Sequence, residues 1–129
     1  MRLLREAMMT KPQYKLPLSR FRSYGELVFV SGQVPVIGSE RHVPESFDEQ
    51  VEAVLGNLKA AVTAAGSNLG AILKVNAFLA DRRDIPAFNQ AYQALFEGHD
   101  LPARTMLIAQ LPDSRYLLEI ECVAYKAST

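Results

Sequence analysis

Apolar and polar positions follow one another along the chain in blocks of changing period. Phe21-Arg22-Ser23 and Leu27 to Val34 read as two strands around Tyr24-Gly25-Glu26, a hairpin turn using glycine's access to positive φ. Leu27-Val28-Phe29-Val30 is apolar at every position, which predicts cover on both faces. Pro35 to Glu45, with Gly38, Ser39, Pro44 and several charges, reads as a surface loop. Ser46-Phe47-Asp48-Glu49 then has capping-box spacing. Behind it Phe47, Val51, Val54, Leu55, Leu58, Ala61, Val62 and Ala65 recur every three or four residues, the stripe of a long amphipathic helix that Gly66 closes. Ala71 to Ala80 alternates, with Leu73, Val75, Ala77 and Leu79 on one side and Lys74, Asn76 and Phe78 on the other, so it is a strand. Asp84 is expected to cap a second helix with the stripe Ile85, Phe88, Tyr92, Leu95 and Phe96, Pro86 being tolerated in its first turn. Gly98-His99-Asp100 breaks that helix. Two strands follow, Ala103 to Leu111 and Tyr116 to Tyr125, expected to pair through the turn Pro112-Asp113-Ser114-Arg115.

The order is β-β-α-β-α-β-β, and the fold class it predicts is α+β: a two-layer sandwich with both helices on one face of a mixed sheet. The other face should then be polar in a monomer. Counting alternate positions gives it Phe78, Met106, Ile108, Leu117, Val123 and Tyr125 instead. Burying five such side chains is worth on the order of 10 kcal/mol, and leaving them wet makes a larger patch than monomers carry. The pattern therefore predicts a closed homo-oligomer over this face, in preference to a third layer built from Tyr14, Leu16 and Leu18.

Arg104, in Leu101-Pro102-Ala103-Arg104-Thr105, is flanked only by uncharged residues inside an extended apolar pattern. A guanidinium there is costly without an anion, and its donor fork suits a carboxylate. By period two it is placed on the bare face with Met106 and Ile108, together with Glu119, Glu121 and Val123 of the last strand. With the hairpin register, Glu119 lies opposite Ile108, about 13 Å along the strand from Arg104. Two readings stay open on these residues: an Arg–Glu pair between subunits that specifies assembly, or a pocket at the subunit boundary in which Arg104 holds an anionic group and a glutamate activates water.

Length and composition narrow the classes. The 129 residues suit a single domain, with residues 1–12 read as a flexible extension. Fourteen basic against fourteen acidic residues give no basic excess for nucleic acid. No apolar run approaches the ~18 residues of a membrane span, and the charged Met1 to Met9 stretch does not read as a secretory signal. The lone Cys122 in a strand pattern fits the reducing cytoplasm. His42 and His99 fall in loops and are read as surface residues. No Gly-x-Ser-x-Gly elbow and no metal-ligand spacing occurs.

A resemblance then sharpens the picture. Ser31-Gly32-Gln33-Val34-Pro35, Asn57-Leu58-Lys59-Ala60, Ala64-Ala65-Gly66, Lys74-Val75-Asn76-Ala77-Phe78, Asn89-Gln90-Ala91-Tyr92, Pro102-Ala103-Arg104 and Glu119-Ile120-Glu121 occur in order over residues 17 to 126. Together they resemble the YjgF/RidA family of reactive intermediate imine deaminases, also called L-PSP endoribonucleases. The resemblance implies a chorismate-mutase-like homotrimer with a central barrel of sheets and clefts between subunits. It implies hydrolysis of small 2-imino or enamino acids, such as 2-iminobutanoate and 2-iminopropanoate, to 2-oxo acids and ammonia without metal or organic cofactor. It also implies roles: Arg104 holds the substrate carboxylate, Glu119 positions the water, Met106 offers a backbone amide, and Asn89 and Gly32 with Ser31 line the pocket.

Two positions depart from the family pattern. Leu18 stands where a tyrosine caps the pocket, and Met106 where several relatives have cysteine. Two other readings remain: a non-catalytic small-carboxylate-binding or interaction protein of the same fold, and an endoribonuclease, against which the even charge and the lack of a basic–aromatic strip count.

Overall fold

The computed structural model describes residues 16–127. The extension expected over residues 1–12, and Tyr14, lie outside the described residues. The elements are β1 (Phe21–Tyr24), β2 (Leu27–Gln33), α1 (Phe47–Ala64), β3 (Ile72–Leu79), α2 (Ile85–Leu95), β4 (Ala103–Ile108) and β5 (Leu118–Tyr125). Their order is the one the sequence predicts. Short 3-10 turns, Leu69–Ala71 and Arg82–Asp84, precede β3 and α2.

Both ends of α1 follow from local chemistry. The Ser46 hydroxyl accepts the Glu49 amide at 3.2 Å, which satisfies one open donor of the first turn. At the other end Gly66 has φ +84°; its amide donates to the Thr63 carbonyl and that of Ser67 to the Val62 carbonyl. This paired arrangement closes the last open carbonyls of the helix. The start of α2 differs from expectation. Asp84 makes no side-chain cap; Asp81 instead accepts the Arg83 amide, because a 3-10 turn is inserted ahead of the helix.

The sheet order is β1-β2-β5-β3-β4. All neighbours are antiparallel except β3 and β4, which run parallel. The predicted turn is present, with the Tyr116 amide donating to the Asp113 carbonyl, but it does not close a hairpin. β5 inserts between β2 and β3, and β4 is left at the edge. Leu118, Ile120, Cys122 and Ala124 of β5 are all buried beneath the helices.

This placement corrects the face assignment. Arg104 lies beside Val75, Met106 beside Ala77 and Ile108 beside Leu79, all on the helix side of the sheet. Glu119 lies beside Phe78 and Glu121 beside Asn76, on the bare side. Arg104 and Glu119 of one chain thus stand on opposite faces. The bare face nonetheless carries an apolar patch. Leu27, Phe29, Leu107 and Tyr125 remain 39%, 46%, 55% and 40% exposed, with half-buried Phe78 and Val123 among them.

Candidate active site

The predicted site residues fall into two groups. The first is on the helix side, at the open edge of the sheet. Phe88 and Tyr92 of α2 and its C-cap residue Phe96 are buried one turn apart, with ring centroids 5.5 and 4.8 Å between successive members. The Arg104 guanidinium lies over the first two, 5.6 Å from the Phe88 ring and 4.8 Å from the Tyr92 ring. Contact of this kind favours the cation and orients its plane. Arg104 is exposed and, among the described residues, has no carboxylate within ion-pairing distance. Its donor fork is therefore unspent. Met106, two residues along the same side, is half-buried against the core. Asn89 follows Phe88 on α2 with its side chain exposed.

Beneath the guanidinium the Tyr92 hydroxyl is buried and, among the described residues, has no hydrogen-bond partner. Burial pushes its pKa up to about 12 against the opposing pull of Arg104. It is therefore a neutral part of the platform near neutral pH. Helical periodicity marks Phe88 and Tyr92 only as core residues; that their rings carry Arg104 follows from the tertiary contact between β4 and α2.

The second group is on the bare side. Gly32 lies where β2 breaks register with β5, between Val30 and Gln33. A Cβ built on Gly32 would collide with the Glu119 carboxylate oxygen and come within 2.9 Å of its Cδ and 3.2 Å of its Cγ. Only glycine leaves room for this carboxylate. The adjoining backbone is fixed by local bonds, Ser31 Oγ donating to the Ser19 carbonyl at 2.6 Å and Gln33 Nε2 to the Ser31 carbonyl at 2.8 Å.

Glu119 has no hydrogen-bond or ion-pair partner among the described residues, whereas neighbouring Glu121 accepts from Asn76 Nδ2 at 3.0 Å. Burial first, and the Glu121 charge second, raise the Glu119 pKa above the ordinary carboxylate range. An unpaired carboxylate of raised basicity can take a proton from water, and once protonated can return it. Among the described residues no group of three or more His, Cys, Asp and Glu is placed to hold a metal ion. None of the helices there is long and apolar enough to cross a membrane.

The close Gly32–Glu119 approach makes a specific prediction. Because the clash is with the end of a flexible side chain, Gly32→Ala should fold with a melting temperature within a few degrees of the wild type. If Glu119 takes part in a reaction, the displaced carboxylate should cost about 10- to 100-fold in its rate. Thermal denaturation and steady-state rates on the same preparation check both halves.

Comparisons with known proteins show the family and the fold. The family model described as Endoribonuclease L-PSP matches residues 8–126. The 2-iminobutanoate/2-iminopropanoate deaminase of Escherichia coli K12 is 36% identical over 105 residues, covering 79% of this chain and 81% of that enzyme. Among solved structures, E. coli TdcF with bound serine superposes with a TM-score of 0.82 at 33% identity, over 90% of this chain and 93% of that one. The E. coli YjgF gene product gives 0.81 at 32% identity, over 86% and 89%. The chain therefore belongs to the YjgF/RidA family of reactive intermediate deaminases, the endoribonuclease L-PSP family.

Proposed function

We propose that the protein hydrolyses 2-imino and enamino acids to 2-oxo acids and ammonia, in clefts between the subunits of a homotrimer. The observation that carries this reading is the Arg104 guanidinium, held on two aromatic rings with its donors unpaired among the described residues. It suits the carboxylate of a small acid. The serine bound to the neighbour TdcF is a ligand of that chemical type.

The reaction needs few groups. With the carboxylate neutralised by Arg104, a protonated imine carbon is attacked by the oxygen of water. The π electrons move to nitrogen while the water loses a proton to Glu119. Transfer of that proton to the amine nitrogen lets the C–N bond break, the remaining hydroxyl loses its proton, and ammonia and the 2-oxo acid result. An enamine enters after tautomerising to the imine. Since Arg104 and Glu119 stand on opposite faces of one sheet, a centre that uses both takes Arg104 from one protomer and Glu119 from another. The bare apolar face supports the assembly this requires.

The test is ammonia release from 2-iminobutanoate formed in situ by a threonine dehydratase, compared with spontaneous hydrolysis. The expected result is acceleration that scales with protein concentration. Binding of small carboxylates without acceleration would make the protein a binding module and overturn the enzymatic reading.

Glu119→Gln separates stability from activity. A carboxyl whose folded pKa exceeds its unfolded one binds its proton more tightly in the native state, so its ionisation opposes folding as pH rises through that interval. The neutral amide removes this opposition. The variant is expected to melt higher than the wild type at pH 7, with no gain at pH 3, while turnover is lost. Calorimetry at the two pH values checks the sign.

A further inference from the structure

Two side-chain amides on α1 have no part in the site described so far. Gln50 and Asn57 are seven residues apart, two helical turns, and so project from one face. Gln50 occupies a core position and is 1% exposed. Its Nε2 donates to the Pro44 carbonyl at 2.7 Å and to the Arg115 carbonyl at 2.8 Å, and its Oε1 accepts the Leu117 amide at 2.8 Å. Asn57 Nδ2 donates to the carbonyls of Val34 at 3.0 Å and Val36 at 3.1 Å.

These bonds do not join arbitrary segments. Val34 is two residues beyond Gly32, and Leu117 is two residues before Glu119. The ladder between β2 and β5 is irregular between Val30 and Gln33, so strand pairing alone does not fix the backbone at Gly32. A buried amide costs free energy unless its groups are paired, and an apolar residue would fill the same place on α1. What the amides supply that a leucine cannot is a fixed distance between helix and backbone.

We propose that Asn57, assisted by Gln50, is a positioning residue for the hydrolytic step: the two amides tie the segments on either side of the Gly32–Glu119 contact to one rigid helix and so hold the carboxylate where it takes the proton of the attacking water. The inference rests on the reading of Glu119 as the group that receives the proton of water. Arg104 lies on a different strand, on the other face, over a different helix, so loosening the clamp leaves carboxylate binding intact.

Asn57→Asp keeps the shape and removes the donor; Asn57→Ala removes both. With either variant fully folded at the assay temperature by circular dichroism, kcat is expected to fall about 10- to 100-fold while KM stays within about twofold. Amide hydrogen exchange at Gly32 and Gln33 should accelerate at least about tenfold, with β3 amides unchanged. Unchanged kcat, or kcat and KM moving together with no local change in exchange, overturns the proposal. The exchange measurement needs no turnover. Faster exchange at Gly32 in a protein whose wild type hydrolyses no imine would uphold the clamp and remove the deaminase reading; unchanged exchange in Asn57→Asp would remove the clamp whatever the wild-type activity.

Discussion

Arg104→Ala is expected to lose at least about 100-fold in kcat/KM for imino acids, about 3 kcal/mol of transition-state binding. The loss should come without unfolding. Arg104 is exposed on an edge strand, and the Phe88 and Tyr92 rings beneath it are held by the core whether or not the cation is present. Arg104→Lys keeps the charge but not the planar fork that grips two carboxylate oxygens and lies flat on a ring, so it should recover only part of the activity. The opposite-face geometry adds a stricter test. Arg104→Ala and Glu119→Gln chains, each inactive alone, should complement when mixed, because one supplies the glutamate and the other the arginine. Random assembly of equal amounts restores about one quarter of the intermolecular sites. Recovery near that level supports shared centres. No recovery from demonstrably mixed oligomers would mean that both residues act within one chain, which the fold opposes, or that one of them has no role.

The elements were legible in the sequence because each is specified locally. Ser46 and Gly66 mark the ends of α1 by side-chain and backbone chemistry that needs no tertiary partner. The aromatic stripe of α2 and, from Val75 onward, the alternation of β3 report burial directly, whereas Leu73, counted on the side of Val75, is exposed because the register shifts between Ile72 and Lys74. What local reading missed is the partner of each strand. Adjacent strands usually pair, and the turn at 112–115 looks like a hairpin turn, so β4 and β5 were expected side by side. The contrary signal lay in composition. β5 sends Leu118, Ile120, Cys122 and Ala124 to one face, as a central strand must, while β4 carries Arg104 and Thr105, which an edge accepts.

The face of Arg104 was lost with that pairing. Period two says which residues share a face within a strand, but not which face of the sheet it is, and both sets in β4 mix polar with apolar residues. The candidate residues themselves can be named from the sequence. Their division between two faces, the aromatic platform and the clamp formed by Gln50 and Asn57 depend on contacts between distant segments. Gln50 did leave a trace, as a polar residue within the apolar stripe of α1.

Phe29→Asp should dissociate the assembly and abolish activity together. Phe29 pairs with Val123 across β2 and β5, next to the Leu27–Tyr125 pair, in the middle of the bare face. In an isolated protomer it is 46% exposed, so an aspartate there is solvated and the 14.3 kDa chain still folds. In an oligomer the same carboxylate must be desolvated against apolar partners, which costs several kcal/mol and removes the contribution of the phenyl ring, about 2 kcal/mol in each copy. Sedimentation should therefore show the variant as a monomer with native circular dichroism. Its Arg104 and Glu119 are both intact, yet turnover should be lost because no neighbour brings the second residue to the first. Simultaneous loss of assembly and activity is the outcome that an intersubunit site requires. A monomer that retained full turnover would place the whole reaction within one chain, and a variant that stayed oligomeric would move the interface away from this face of the sheet.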